Sequence, residues 1–342
     1  MFRSVLTGAA VCALFAAPAL GEDFYKGKTM KIITSTGVGG SYDTIARAVA
    51  RMMPQYIAGN PTIIVQNMPG GGNLLATNFM YVNAPQDGTV LATINNAIPL
   101  HQAMDGGGVR FDARKFNWLG STGNSNSVTI AWHTAGVKSI ADVKKKEIVL
   151  GGTGPASSIV IFPTVMNKVL GTKFKIVTGY KSSNIVDLAL DRGEILARSG
   201  SYESIVSNKP DWIKEKKIVF LVQVGPKREK DLPDVPLLTE LAETDDQRQI
   251  LKLVSSPILL GRPFLAPPNV PADRVALLRK AFASTMADKN FLNEAGKQQI
   301  SIDPVSGEEI AQRVNETINA PDHIRAAAKA VMPERKKKKK KE

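Results

Sequence analysis

Cysteine and histidine are almost missing from this chain. Its 342 residues include one cysteine, Cys12, and three histidines, His101, His133 and His323. Cys12 lies inside an N-terminal apolar stretch, Val5 to Phe15, and lacks the small-residue lead-in of a lipoprotein cleavage site. Once that stretch is removed no thiol remains, which excludes disulfides and cysteine nucleophiles. The histidines show neither i, i+3 nor i, i+4 spacing, so no local zinc motif exists and no metal or cofactor is expected. Long apolar runs are also lacking: no later segment reaches the ~18 apolar residues of a membrane helix. Nor does the body carry a basic run interleaved with aromatics, so nucleic acid is not an expected partner.

The N-terminus carries a secretory pattern. Arg3, the short apolar stretch and the small residues Ala16 to Gly21 read as a signal peptide, residues 1–21, cut near Gly21. The mature chain is then expected in the periplasm. Almost half of the net charge of +13 is terminal: without Arg3, the cations Arg335 to Lys341 and the acids Glu334 and Glu342, +7 remains. That moderate field favours anions at a distance. The lysine-rich tail, 331–342, reads as solvated and disordered from composition.

Strand-like runs alternate with amphipathic helical patterns. Met30 to Thr34, Thr62 to Gln66, Val90 to Ile94, Val128 to Trp132, Ile148 to Leu150, Lys175 to Val177 and Ile218 to Val224 are β-branched runs bounded by Gly, Asn or Pro. Thr44 to Met53, Leu74 to Tyr81, Ile159 to Leu170 and Ile185 to Leu190 carry helical periodicity, although Pro163 is tolerable only near a helix start. The alternation predicts an α/β fold with mostly parallel sheets. After the prolines 263, 267, 268 and 271, Ala272 to Met286 and Glu308 to Ile318 are helical without strands between them. Such helices are expected to cover an existing sheet, returning the chain to its first lobe.

Two glycine-rich loops hold equivalent positions between a strand and the next helix. The first is Thr36 to Asp43, with Gly37, Val38, Gly39, Gly40 and Ser41; the second is Gly151 to Ser158, with Thr153, Gly154 and Ser157. Helix N-termini leave amide N–H groups unpaired and carry partial positive charge, so such loops suit an anion. Gly37-x-Gly39 lacks the third glycine of a dinucleotide fingerprint, and neither loop has the Lys-Ser or Lys-Thr of a phosphate-binding P-loop. Asp43 and Ser158 can equally serve as N-caps. Asn95 and Asn96 can offer amides to a ligand or simply end their strand. Asn67 to Asn73, again glycine-rich, reads as a turn.

The ordered pieces resemble a known family. Gly39-Gly40-x-x-Asp43, Ala46-Arg47, Val65-x-Asn67-x-Pro69-Gly70-x-Gly72-Asn73, Ala84-Pro85-x-Asp87-Gly88, Gly179-Tyr180-Lys181, Leu232 to Leu237 and Phe264-x-Ala266-Pro267 are similar to periplasmic substrate-binding proteins of tripartite tricarboxylate transporters, the Bug family. The resemblance runs from about Met30 to Ile318. It implies a type II periplasmic-binding-protein-like fold, two α/β lobes with a ligand cleft between them. It implies lobe 1 at 22–127 and 257–330, lobe 2 at 128–256, and crossings near Ser127 and Ser256. Position by position, it implies that Gly37 to Ser41 and Asp43 face Thr153, Gly154, Ser157 and Ser158 across the ligand, with Tyr180 nearby.

Two departures stand out. Ser35-Thr36-Gly37-Val38 replaces prolines that usually precede the glycines of the first loop, and Arg198 follows a strand where the family often has an acid. Arg198 either clamps a second carboxylate or pairs with Glu194 at the surface. The expected function is a non-catalytic, monomeric solute-binding protein that delivers a small organic anion to the membrane subunits of a secondary transporter. A periplasmic ligand-sensing module uses the same lobes. A secreted α/β hydrolase would need a nucleophile elbow, and no Gly-x-Ser-x-Gly is present.

Overall fold

The computed structural model describes residues 24–123, 126–297, 300 and 302–332. The expected signal peptide, and all but the first two residues of the expected tail, lie outside the described residues. The chain begins with β1 (Thr29–Thr34), α1 (Ser41–Met52), β2 (Thr62–Asn67), α2 (Leu74–Val82), β3 (Val90–Thr93), α3 (Ile98–Ala103) and β4 (Asn117–Ser121). It continues through β5 (Ser127–Trp132), α4 (Ile140–Lys145), β6 (Ile148–Gly152), α5 (Ser158–Leu170), β7 (Phe174–Thr178) and α6 (Ser183–Asp191). Next come β8 (Ala197–Ser201), α7 (Tyr202–Asn208), α8 (Pro210–Lys214), β9 (Ile218–Val224) and α9 (Asp245–Ser255). The last part is β10 (Pro263–Ala266), α10 (Ala272–Ala287), α11 (Lys289–Lys297), β11 (Val305–Ser306), α12 (Gly307–Ile318) and α13 (Asp322–Val331).

These strands form two mixed sheets. The first has the order β11-β4-β10-β3-β1-β2 and the second β7-β6-β8-β5-β9. Both contain the parallel trio that strand–helix–strand units produce: β2-β1-β3 in one and β7-β6-β8 in the other. The expectation of mostly parallel sheets is corrected by the strands next to the crossings. β10 is antiparallel to β3 and β4, β11 to β4, and β5 to β8 and β9. Residue pattern reports which face of a strand is buried, not which way its neighbour runs. The chain passes between sheets twice, between Ser121 and Ser127 and between Val224 and Pro263.

The returning segment does more than cover a sheet. β10 inserts into the first sheet between β3 and β4, and β11 extends its edge. All four residues of β10 are buried, and Pro263 sits at its first position, where a missing N–H is tolerated. Its shortness, with prolines on both sides, conceals it as a turn. The last helix, α13, packs against α9 and α5.

Helix burial follows the periodicity. In α1, Ile45 and Val49 are buried and Met53 follows them inward, while Arg47 and Arg51 keep to the other face. In α5, Phe162, Val165 and Met166 are fully buried, and the helix runs through Pro163 in its second turn. Removing the Phe162 ring leaves a cavity that its packed neighbours can only partly fill. Phe162→Ala is therefore expected to lower unfolding free energy by about 3–5 kcal/mol, read from the urea midpoint at unchanged slope.

Candidate functional site

The first glycine loop is braced from within. The Asp43 carboxylate accepts the Gly39 N–H at 2.8 Å, Arg47 Nε at 3.0 Å and Asn67 Nδ2 at 2.8 Å. The Gly37 N–H donates to Lys181 O of the other sheet's unit at 3.1 Å, and the Gly40 N–H to Gly37 O at 3.4 Å. The amides of Gly37, Gly39 and Gly40 are thus engaged by protein acceptors, and Val38 points outward, 65% exposed. Burial alone would raise the Asp43 pKa; the Arg47 guanidinium, the Gly39 amide and Asn67 outweigh it and hold the carboxyl below its usual range.

A cavity of about 80 Å³ lies between the two sheets. At about 10–15 Å³ for each water-sized group, it has room for about five to eight such groups. From the first loop, Thr36, Ser41 and Tyr42 line it. Of the positions expected to contact ligand, Ser41, Asn95, Thr153, Ser157, Ser158 and Arg198 reach this lining. Gly37, Val38, Gly39, Gly40, Asp43, Gly154 and Tyr180 do not. Gly154 instead meets Gly72 backbone to backbone: a Cβ on it would fall 2.7 Å from Gly72 Cα. Tyr180 lines a neighbouring recess with Gly70, Gly71, Gly72 and Lys181. Asn95 accepts from the Ala97 amide at 3.0 Å and the Ser158 amide at 3.4 Å, so it ends its strand and steadies the second loop.

Three helices open onto this cavity with their positive ends. The first residues of α1, α5 and α6 are Ser41, Ser158 and Ser183, and all three line it. None of the three N-cap side chains makes a capping hydrogen bond, a feature shared with α2, α3, α8, α10 and α13, and at α5 the Ser158 amide is held by Asn95. Each such end carries about half a positive charge. Neither reading expected of Asp43 or Ser158 as a side-chain N-cap describes these helices, whose N-cap residues are Gly40 and Ser157.

Arg198 takes neither of its expected roles unaltered. Its side chain is buried and ion-paired with Asp187 of α6, while Glu194 pairs with Arg192. The guanidinium occupies the room that Gly200 leaves by lacking a side chain, and Arg198 still lines the cavity. Sequence reasoning overlooked a second arginine there, Arg262. It precedes β10, pairs with Glu203 at 2.6 Å and donates from Nη2 to Ser201 Oγ at 3.0 Å. Asn96, weighed with Asn95 as an amide donor, also lines the cavity, and Tyr42, Asn73, Ser127 and Ser204 are further lining residues that the pattern did not mark as contacts. Asn73 and Asn96 lie beside motifs already noted; Arg262 could have been flagged only as a charge inside an apolar, proline-bounded run. Burial pushes the Tyr42 hydroxyl up to about 12, against the opposing pull of the Asn96 amide and Arg262.

Two mixed α/β lobes, two crossings and a polar cavity between the sheets define the two-lobed fold of periplasmic binding proteins. No model of a known protein family matches the chain. Its sequence is 24% identical over 332 residues to the UPF0065 protein in gbd 5'region of Cupriavidus necator, covering 92% of each chain. The periplasmic binding protein BugD superposes with a TM-score of 0.72 at 17% identity, over 90% of this chain and 98% of its own. MatC from Rhodopseudomonas palustris with bound malate superposes at 0.69 and 18% identity, over 87% of this chain and 99% of its own. The fold is therefore shared with BugD and MatC along almost its whole length.

The geometry sets two tests. The Asp43 pKa is depressed, so its contribution to stability is whole above the unfolded-chain value of about 3.9 and is lost as pH falls through the lower folded value. Thermal melts from pH 7 to 3 should show a steeper acid loss for the wild type than for Asp43→Asn. The second test concerns lobe contact. Gly72 has φ +67°, and a Cβ there would lie 2.8 Å from the Ala156 nitrogen; Gly193 has φ +71° with nothing within 4 Å. Gly72→Ala should enlarge the radius of gyration in solution scattering by holding the lobes apart, while Gly193→Ala, strained but unobstructed, leaves it unchanged.

Proposed function

We propose that this chain is an extracytoplasmic solute-binding protein that captures a small organic carboxylate between its lobes. The observation that carries the reading is the cavity lining: its only charged side chains, among the described residues, are Arg198 and Arg262. Hydroxyls, side-chain amides and three helix N-termini make up most of the rest, with Ile159 and Ile258 the apolar contributions. A site built this way favours an anion without presenting a carboxylate to repel it. Ser41, Ser157 and Ser158 line the cavity, yet among the described residues no histidine or carboxylate lines it to activate them as nucleophiles. The malate bound by MatC supports the same ligand class.

In this proposal lobe 1 comprises residues 22–127 and 257–330 and lobe 2 residues 128–256. Binding residues come from both lobes, with Ser41 and Asn95 on one side and Thr153, Ser157, Ser158 and Arg198 on the other. A ligand touching both stabilises the closed form through its differential contacts, not through affinity for either lobe alone. The proposal further places the protein in the periplasm after signal cleavage, as a monomer whose closed form delivers its cargo to membrane subunits of a tripartite tricarboxylate-type transporter.

The test is a thermal-shift screen of small carboxylates against the mature protein, followed by calorimetry. A true ligand at a hundredfold excess over its Kd should add about 2.7 kcal/mol of apparent stability. If only cations or neutral solutes shift the melt, the carboxylate reading falls.

A further inference from the structure

Two guanidiniums in the wall of so small a cavity need a reason. The Arg198 and Arg262 side chains are 1% and 8% exposed. Withdrawing each charge from water costs several kcal/mol, and a buried ion pair often stabilises no more than apolar residues of the same shape would. Each guanidinium has one carboxylate behind it, Asp187 for Arg198 and Glu203 for Arg262. Neither carboxylate belongs to the cavity lining, whereas both arginines do. The positive member of each pair is therefore the one next to the cleft.

Both arginines converge on one end of β8. Arg198 lies over Gly200, and Arg262 reaches Ser201 Oγ at 3.0 Å; Gly200 and Ser201 line the cavity too. Arg198 belongs to the second sheet and Arg262 leads into β10 of the first, so the two charges come from opposite sides of the cleft. Among the described residues Arg198 Nη2 and Arg262 Nε have no hydrogen-bond partner in the protein. A guanidinium stays ionised at any physiological pH, so these donors are permanent. The three helix ends at Ser41, Ser158 and Ser183 already suit one carboxylate. The arginine pair is in excess of what one carboxylate needs.

We propose that Arg262, together with Arg198, selects a compact dianion, a dicarboxylate of about four or five carbons, over monocarboxylates. The inference rests on the carboxylate reading above and adds the second charge and the size. A four-carbon dicarboxylate has about eight non-hydrogen atoms and a five-carbon one about nine, at and just above the upper end of the room available. Asp187 and Glu203 act as positioning residues that hold the guanidiniums against the cavity wall.

Calorimetry on the mature protein tests this with succinate, malate and glutarate against butyrate and valerate, and with citrate as an oversized trianion. The wild type should bind at least one dicarboxylate ten times more tightly than the monocarboxylate of the same length, and citrate no better than the monocarboxylates. Arg262→Gln should weaken that dicarboxylate at least tenfold while changing the monocarboxylate less than threefold. Arg262→Lys, which keeps the charge but not the planar fork, should fall between the two. Circular-dichroism melts confirm folding; were Arg262→Gln unfolded, the lysine variant and the wild-type ratio would decide. Equal binding of mono- and dicarboxylates by the wild type, or an unchanged ratio in the variants, would overturn the inference while leaving carboxylate binding intact. Binding of no carboxylate at all would overturn both.

Discussion

Backbone meets backbone between the lobes, and the small cavity depends on it. Gly72 and Gly154 approach so closely that a Cβ on either would collide with the other's main chain. Beside them the Gly37 N–H donates across to Lys181 O. Side chains at these points would collide with the facing main chain and hold the sheets apart. The cavity would then be an open groove in which water screens every charge. Glycine in these loops thus sets the width of the cleft, a different task from offering amides to a ligand.

Within that width, charge is arranged asymmetrically. The N-terminal ends of three helices, at Ser41, Ser158 and Ser183, face the cavity without a capping bond from their N-cap side chains. The acids near the cleft are turned to other work. Asp43 braces its own loop through Gly39, Arg47 and Asn67, and Asp187 and Glu203 stand behind arginines. Desolvating two ion pairs is tolerable because each is nearly complete within the protein. The cleft consequently presents donors and positive potential, and an anion is the ligand that gains most from its closure.

Much of this was legible in the residues. Strands such as Ile218 to Val224 and helices such as Ala272 to Ala287 announce themselves by β-branched runs and by 3.6-residue periodicity. The two glycine loops lie beside the cavity, and Ser41, Thr153, Ser157 and Ser158 line it. β8 was hard to see because Ala-Arg-Ser-Gly-Ser is buried yet shows no apolar alternation. Its polar residues are paired inside the fold, Arg198 with Asp187 and Ser199 with Thr129. The amides of Gly37, Gly39 and Gly40 meet protein acceptors for a related reason: glycine spacing shows that a backbone can approach something closely, not what it approaches.

Local periodicity and backbone freedom, which act over a few residues, settle the alternating α/β build, the places where strands hand over to helices, and the chemistry on offer there, hydroxyl, amide and cation. That β10 enters the middle of the first sheet, that Asp43 faces inward and that Arg262 joins Arg198 in one cavity wall follow from tertiary packing. These two arginines, 64 positions apart in the chain, meet at one cavity because the chain crosses between the sheets once in the interval, and no local pattern encodes that distance.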